Sequence, residues 1–146
     1  MHRALRSATV VACIALLAAW SPPATGTAPA GVAPAGAAIT VKARLTGWVA
    51  RRDGYHLFRE GSTVRMVVRA WPALPHEDVL ARLEWRRTGN RWRVLDVSTT
   101  TFNRDGRASF LVRGLPDGYS FRIRAKVPAT GEHETGRSRW RYFRVR

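Results

Sequence analysis

The chain has 146 residues, 25 Lys and Arg against 10 Asp and Glu, and a formal net charge of +15. That length suits one domain with a real core, and a field of that sign draws phosphates and carboxylated polymers toward the surface. The single cysteine, Cys13, lies in the N-terminal apolar run, which excludes a disulfide or a thiolate metal site from the rest of the chain.

Arg3 and Arg6 precede a continuous apolar segment at 8–20, followed by Ser21, Pro22, Pro23 and Ala24. Basic, apolar and small-residue regions in that order predict a secretory signal peptide over 1–24, with cleavage between 24 and 28. The apolar run is short of the roughly 20 residues a membrane span needs, so no stable span is expected after cleavage. Ile14 to Trp20 continue the run beyond Cys13, which argues against lipidation there. Residues 25–38 are Pro, Ala, Gly and Thr with one Val, too little apolar bulk to fold alone, and are expected to form a disordered linker.

A domain is expected over 39–146. Ile39, Val41, Ala43 and Leu45 alternate with Thr40, Lys42 and Arg44 as a first strand. Residues 46–61 are less regular. Trp48, Tyr55, Leu57 and Phe58 flank an Asp53-Gly54 turn, so the stretch is a hairpin or a packed loop. Strands are predicted at 62–71, ended by Pro72 and Pro75, and at 78–87, with Val79, Ala81, Leu83 and Trp85 inward and Arg82, Glu84 and Arg86 outward. A Thr88-Gly89-Asn90 turn leads to the strand at 91–97, after which 98–102 either extends it or crosses between sheets. Residues 105–127 carry the clearest alternation in the chain. There Ala108, Phe110 and Val112 precede a Gly114 to Gly118 turn, and Tyr119, Phe121, Ile123, Ala125 and Val127 follow it. The last strand, 137–146, has an ambiguous phase, because Trp140 and Tyr142 share one parity while Phe143 and Val145 share the other; a bulge near Tyr142 reconciles them.

No stretch of the folded part holds a helical period over ten residues. The expected class is all-β, a two-sheet Greek-key sandwich of about seven strands. The run from Gly114 through Leu115, Pro116, Asp117, Gly118, Tyr119 and Phe121 to Ala125 resembles the sixth-strand region of fibronectin type III and bacterial immunoglobulin-like domains. The resemblance covers about twelve residues and implies that Tyr119 is a corner tyrosine hydrogen-bonded to the preceding turn. It also implies that Phe121 stands where antibody-type domains place a cysteine and that Trp85 is similar to their buried third-strand tryptophan. The chain lacks the cysteine pair, so only disulfide-free branches fit. The resemblance implies a spacer, adhesion or binding module and no particular ligand.

No nucleophile elbow, zinc-protease helix, phosphate-cradling glycine loop or Cys/His metal pattern is present in the sequence, so no enzyme activity and no cofactor are expected. In the expected topology the loops 71–78, 98–106 and 128–136 share one pole. That pole would collect His76, Glu77, Asp78, Asp105, Glu132, His133 and Glu134, which can bind Ca²⁺ or Zn²⁺, or do acid/base work, only if the side chains converge. The third, fourth, sixth and seventh strands would form one sheet with Arg82, Arg86, Arg122, Arg124 and Lys126 on its solvent face. Arg91 or Arg93 and Arg139 or Arg141 would lie beside them. Such a face suits an anionic polymer, because Arg makes bidentate contacts to phosphate and carboxylate. Teichoic acid, acidic polysaccharide and extracellular DNA are the expected partners of an exported chain, with Trp92 and Trp140 adding stacking. Two other accounts fit the same residues: a solvated Arg face set by a GC-rich composition, and a structural or protein-binding module using loops or an exposed edge strand.

Overall fold

The computed structural model describes residues 36–146, and these form strands without any helix. The expected signal peptide, its cleavage window, Cys13 and most of the linker lie outside the described residues. The strands are β1 (Thr40–Thr46), β2 (Ala50–Arg52), β3 (Tyr55–Phe58), β4 (Val64–Trp71), β5 (Asp78–Arg86), β6 (Arg93–Thr101), β7 (Arg107–Val112), β8 (Ser120–Val127), β9 (Gly136–Arg137) and β10 (Arg141–Val145). They make two sheets. The smaller runs β1-β4-β7; the larger runs β2-β3-β10-β8-β5-β6, with β9 also paired to β8.

Period-two alternation builds the layer between them. In β1 the buried residues are Val41, Ala43 and Leu45; in β4 they are Val64, Met66, Val68 and Ala70; in β7 they are Ala108 and Phe110. The larger sheet answers with Val79, Ala81, Leu83, Phe121, Ile123, Ala125, Val127, Phe143 and Val145. Three phenylalanines centre one end of this layer. Phe121 stacks on Phe143 at 5.3 Å between centroids, and Phe58 meets Phe143 edge-on at 5.7 Å. Aromatic pairs at these separations add to the area they remove from water.

The irregular stretch after β1 resolves into a hairpin. Asp53 and Gly54 both take positive φ, 51° and 79°, the pattern of the tight turn whose twist matches paired strands. β3 then adds in parallel to β10, through Phe143 opposite His56 and Val145 opposite Phe58. Residues 98–101 extend β6 instead of crossing between sheets. Between β5 and β6 the register shifts, with Leu83 opposite Asp96 and Glu84 opposite Val94, so Leu95 is the extra residue of a bulge.

The phase of the last strand is also settled by a bulge, which falls between Arg137 and Arg141, ahead of the expected place near Tyr142. Arg137 pairs with Lys126, but Arg141 pairs with Ile123, so one extra residue is absorbed between them. Gly136 and Ser138 are buried before the slip, and Phe143 and Val145 after it. Trp140, Tyr142 and Arg144 therefore share the outward face.

At one end of the molecule the β4–β5 and β6–β7 connections meet through backbone. His76 N–H donates to Phe102 O at 2.9 Å, and Phe102 N–H to Glu77 O at 3.0 Å. Gly106 takes φ 64°, and a Cβ there would come within 2.9 Å of Ala73 Cα, so the close approach of these loops needs glycine. Asn103 Oδ1 accepts from the backbone N–H groups of Asp105 and Arg107, closing the turn into β7. Gly36 and Ala37 are also held: Ala37 bridges to His133 in parallel, donating to Glu132 O and accepting from Glu134 N.

Two side chains depart from the roles the resemblance implied. Trp85 is on the inward phase, opposite Phe121, yet lies at the end of the layer and is only half-buried. Tyr119 packs edge-on against Trp85 at 4.9 Å, with Arg87 over its ring at 5.4 Å. Among the described residues no side-chain hydrogen bond ties its hydroxyl to the preceding turn. The phenol ring packs instead on the indole, one residue before the end of β5.

Candidate functional site: the outer face of the larger sheet

Cross-strand register places side chains of four strands in rows on this face. One row runs Tyr142, Arg122, Glu84, Val94; the rows beside it hold Arg124 with Arg82, and Arg144 with Ser120 and Arg86. Glu84, expected to point outward, does so, but it is buried. Two guanidinium groups close over it. Arg82 Nε donates to Oε1 at 2.7 Å, and Arg122 Nε donates to Oε2 at 2.7 Å. Burial alone would raise the Glu84 pKa, but the hydrogen bonds and positive charge of Arg122 and Arg82 outweigh it and hold the carboxyl below its usual range.

Around this pair the face alternates cations and rings. Arg122 lies 4.6 Å from the centroid of Trp92 and 4.3 Å from that of Trp140. Arg124 lies over Trp140 at 4.4 Å, and Arg86 over Trp92 at 4.4 Å. Arg144 lies over Tyr55 at 4.1 Å while its Nε donates to Ser120 Oγ at 3.0 Å. Tyr142 packs against both Tyr55 and Trp92, each at 5.9 Å. Arg86 Nη2 donates to the Tyr55 hydroxyl at 3.3 Å. Burial by itself would raise the Tyr55 pKa; the Arg86 hydrogen bond and charge, with smaller contributions from Ser120 and Arg144, bring it below the ordinary phenol value. Ring faces attract guanidinium charge, so each stacked Arg is held in place.

Of the nine expected cationic residues, five fall on this face: Arg82, Arg86, Arg122, Arg124 and Lys126. Arg91 and Arg93 instead line a groove at the end of the sandwich with Trp85 and Tyr119, because Arg93 pairs with inward-phase Trp85. Arg139 lies along the opposite rim with Ile39 and Val41. The bulge before β10 turns Arg141 to the inward phase, and its Nε donates to Ala43 O of the other sheet at 2.7 Å. Arg144, Tyr55 and Tyr142 were missed by the sequence reading. For Tyr142 and Arg144 the signal was the alternation Trp140, Tyr142, Arg144, which only the bulge makes readable; Tyr55 reaches the face through the parallel pairing of β3 with β10, which no local pattern announces.

The acidic loops do not form a comparable centre. His76 and Glu77 lie between β4 and β5, Asp78 is the first residue of β5, Asp105 is in the turn before β7, and Glu132, His133 and Glu134 lie beside Ala37. His133 is buried, its Nδ1 3.1 Å from Glu134 O and its Nε2 without a hydrogen-bond partner. Among the described residues no three His, Cys, Asp or Glu side chains group as metal ligands would.

The fold and this face define a two-sheet all-β module with one strongly cationic, aromatic sheet surface. No model of a known protein family matches the chain, and no curated protein matches it significantly.

Proposed function

We propose that the chain is a secreted, non-catalytic β-sandwich module that binds an anionic cell-envelope or extracellular polymer through the outer face of its larger sheet. The observation that carries this is the ladder of Arg86, Arg122 and Arg124 against Trp92 and Trp140. A guanidinium stacked on a ring keeps the N–H donors at its rim. Arg86 and Arg124 thus present donors already ordered before a ligand arrives, which lowers the entropic cost of binding. Neither forms an ion pair among the described residues. The half-buried rings beside them offer faces on which sugar or base rings can stack.

The finer fold proposal is an immunoglobulin-like, fibronectin type III-like sandwich. It is supported by the grouping of β1-β4-β7 against β10-β8-β5-β6, the division expected of such domains. Export rests on the N-terminal pattern of basic, apolar and small residues.

The test is retention of the domain from Gly36 onward on immobilised teichoic acid, acidic polysaccharide and DNA at two salt concentrations. Expected is retention at low salt that falls with salt and is weakened in a variant combining Arg124→Gln with Trp140→Ala. Retention indifferent to both salt and variant overturns the reading. A second reading, a protein-binding module, is favoured by β6: it ends the larger sheet, runs nine residues and exposes Val94, Leu95 and Val97. An unpaired apolar edge of that length is a template for an added strand.

A further inference from the structure

The smaller sheet has an outer face of its own, and its composition differs from the ladder on the other side. Lys42, Arg69 and Arg107 stand directly opposite one another across β1, β4 and β7. All three are exposed, and none forms an ion pair among the described residues. Like charges in direct cross-strand register destabilise a sheet, so this row is held against its own repulsion. Arg44, one pleat along β1, and Arg141, reaching round the β1 edge, join the three around a groove of about 470 Å³. Two residues beyond Arg69 on the same face is Trp71, whose indole is 70% exposed and packs in no aromatic pair among the described residues.

We infer that this face binds single-stranded nucleic acid without sequence preference, with phosphates on the Lys42–Arg69–Arg107 row and a base stacked on Trp71. Three features select this ligand. A phosphodiester backbone supplies acceptors only, and the face supplies almost only donors: it carries no Asp, Glu, Asn or Gln, and its side-chain acceptors are the hydroxyls of Thr40, Thr46 and Ser109. An acidic glycan also supplies acceptors, so the row by itself selects a polyanion and the indole decides between them. The exposed indole calls for a flat partner, and only an unpaired strand presents its base faces. Neighbouring strands lie about 4.8 Å apart, so the row offers a cation at each such step across the groove. The site shares no residue with the ladder face, and the two readings stand or fall separately.

The experiment is fluorescence anisotropy with a labelled oligothymidylate of about 16 nucleotides, the upper end of what one small β-domain covers, titrated at several salt concentrations. Three proteins are compared with the unmodified domain: the triple variant Lys42→Gln, Arg69→Gln, Arg107→Gln; the single variant Trp71→Ala; and a charge-matched triple variant Arg51→Gln, Arg59→Gln, Arg91→Gln, whose sites are exposed and lie off this face. The row variant is expected to bind at least about tenfold more weakly and to lower the salt slope by about 2, three phosphates at roughly 0.7 each. Trp71→Ala is expected to weaken binding about tenfold with the salt slope unchanged. The row variant should also melt at a higher temperature than the unmodified domain, since repulsion has been removed.

Equal losses in the row variant and the charge-matched variant reduce the effect to net charge and overturn the site. A Trp71→Ala variant that binds as well as the unmodified domain overturns the stacked base. If a heparin-like glycan is bound in place of the oligonucleotide, and the row variant loses it, the face belongs to glycans and the inference is wrong.

Discussion

Replacing Glu84 by Gln removes the buried carboxylate of the ladder face while keeping its shape. Breaking a fully buried ion pair by deleting one partner costs about 3 to 5 kcal/mol, because the other charge is stranded. Here the stranded groups are not fully buried: the Arg122 side chain is 22% exposed and that of Arg82 is 46% exposed. Both can turn partly to water, and the Gln carbonyl keeps one acceptor for them, so the expected loss is about 2 kcal/mol. The assay is urea unfolding of the domain followed by tryptophan fluorescence, read as a shift in midpoint at constant slope. The pH dependence supplies a second reading. Because the folded-state pKa of Glu84 is depressed, its contribution is fully present above the unfolded carboxyl value of about 4.3 and is lost as pH falls through the lower folded value. The unmodified domain should therefore lose stability on acidification faster than Glu84→Gln does, and the two curves should converge at low pH. An unchanged midpoint at neutral pH, or parallel acid curves, would refute the buried clamp.

Phe143→Ala, removing a fully buried ring that touches both Phe58 and Phe121, should cost about 3 to 5 kcal/mol in the same assay. Trp85→Ala should cost less, about 2 kcal/mol, since the indole is half-buried at the end of the layer; a loss as large as that of Phe143→Ala would place it in the core. Gly106→Ala meets both a positive φ and the Ala73 backbone, and should lower stability by about 1 to 3 kcal/mol, measured by thermal unfolding. An Ala there that melts with the unmodified domain would show that the two loops separate freely.

Much of the architecture is local in origin and was legible for that reason. Alternation at Val41 to Leu45, Val64 to Ala70 and Phe121 to Val127 depends only on each strand's own pleat, so a period of two in the letters became a buried face in the fold. The Asp53-Gly54 turn was readable because its dihedral demand falls on two adjacent residues. Glu84 was placed on the outward face correctly, but nothing in its neighbourhood along the chain announced that Arg122, 38 residues away, would bury it.

What the amino-acid order determined by itself is the set of strands and which side chains each one hides, because backbone sterics and apolar periodicity act within a few residues. Tertiary structure alone decided which cations share a surface. One inserted residue before β10 sent Arg141 inward and Arg144 outward, and strand pairing across tens of residues set Lys42 beside Arg69 and Arg107. Register between strands is a long-range property, and a slip of one residue exchanges the two faces of everything beyond it.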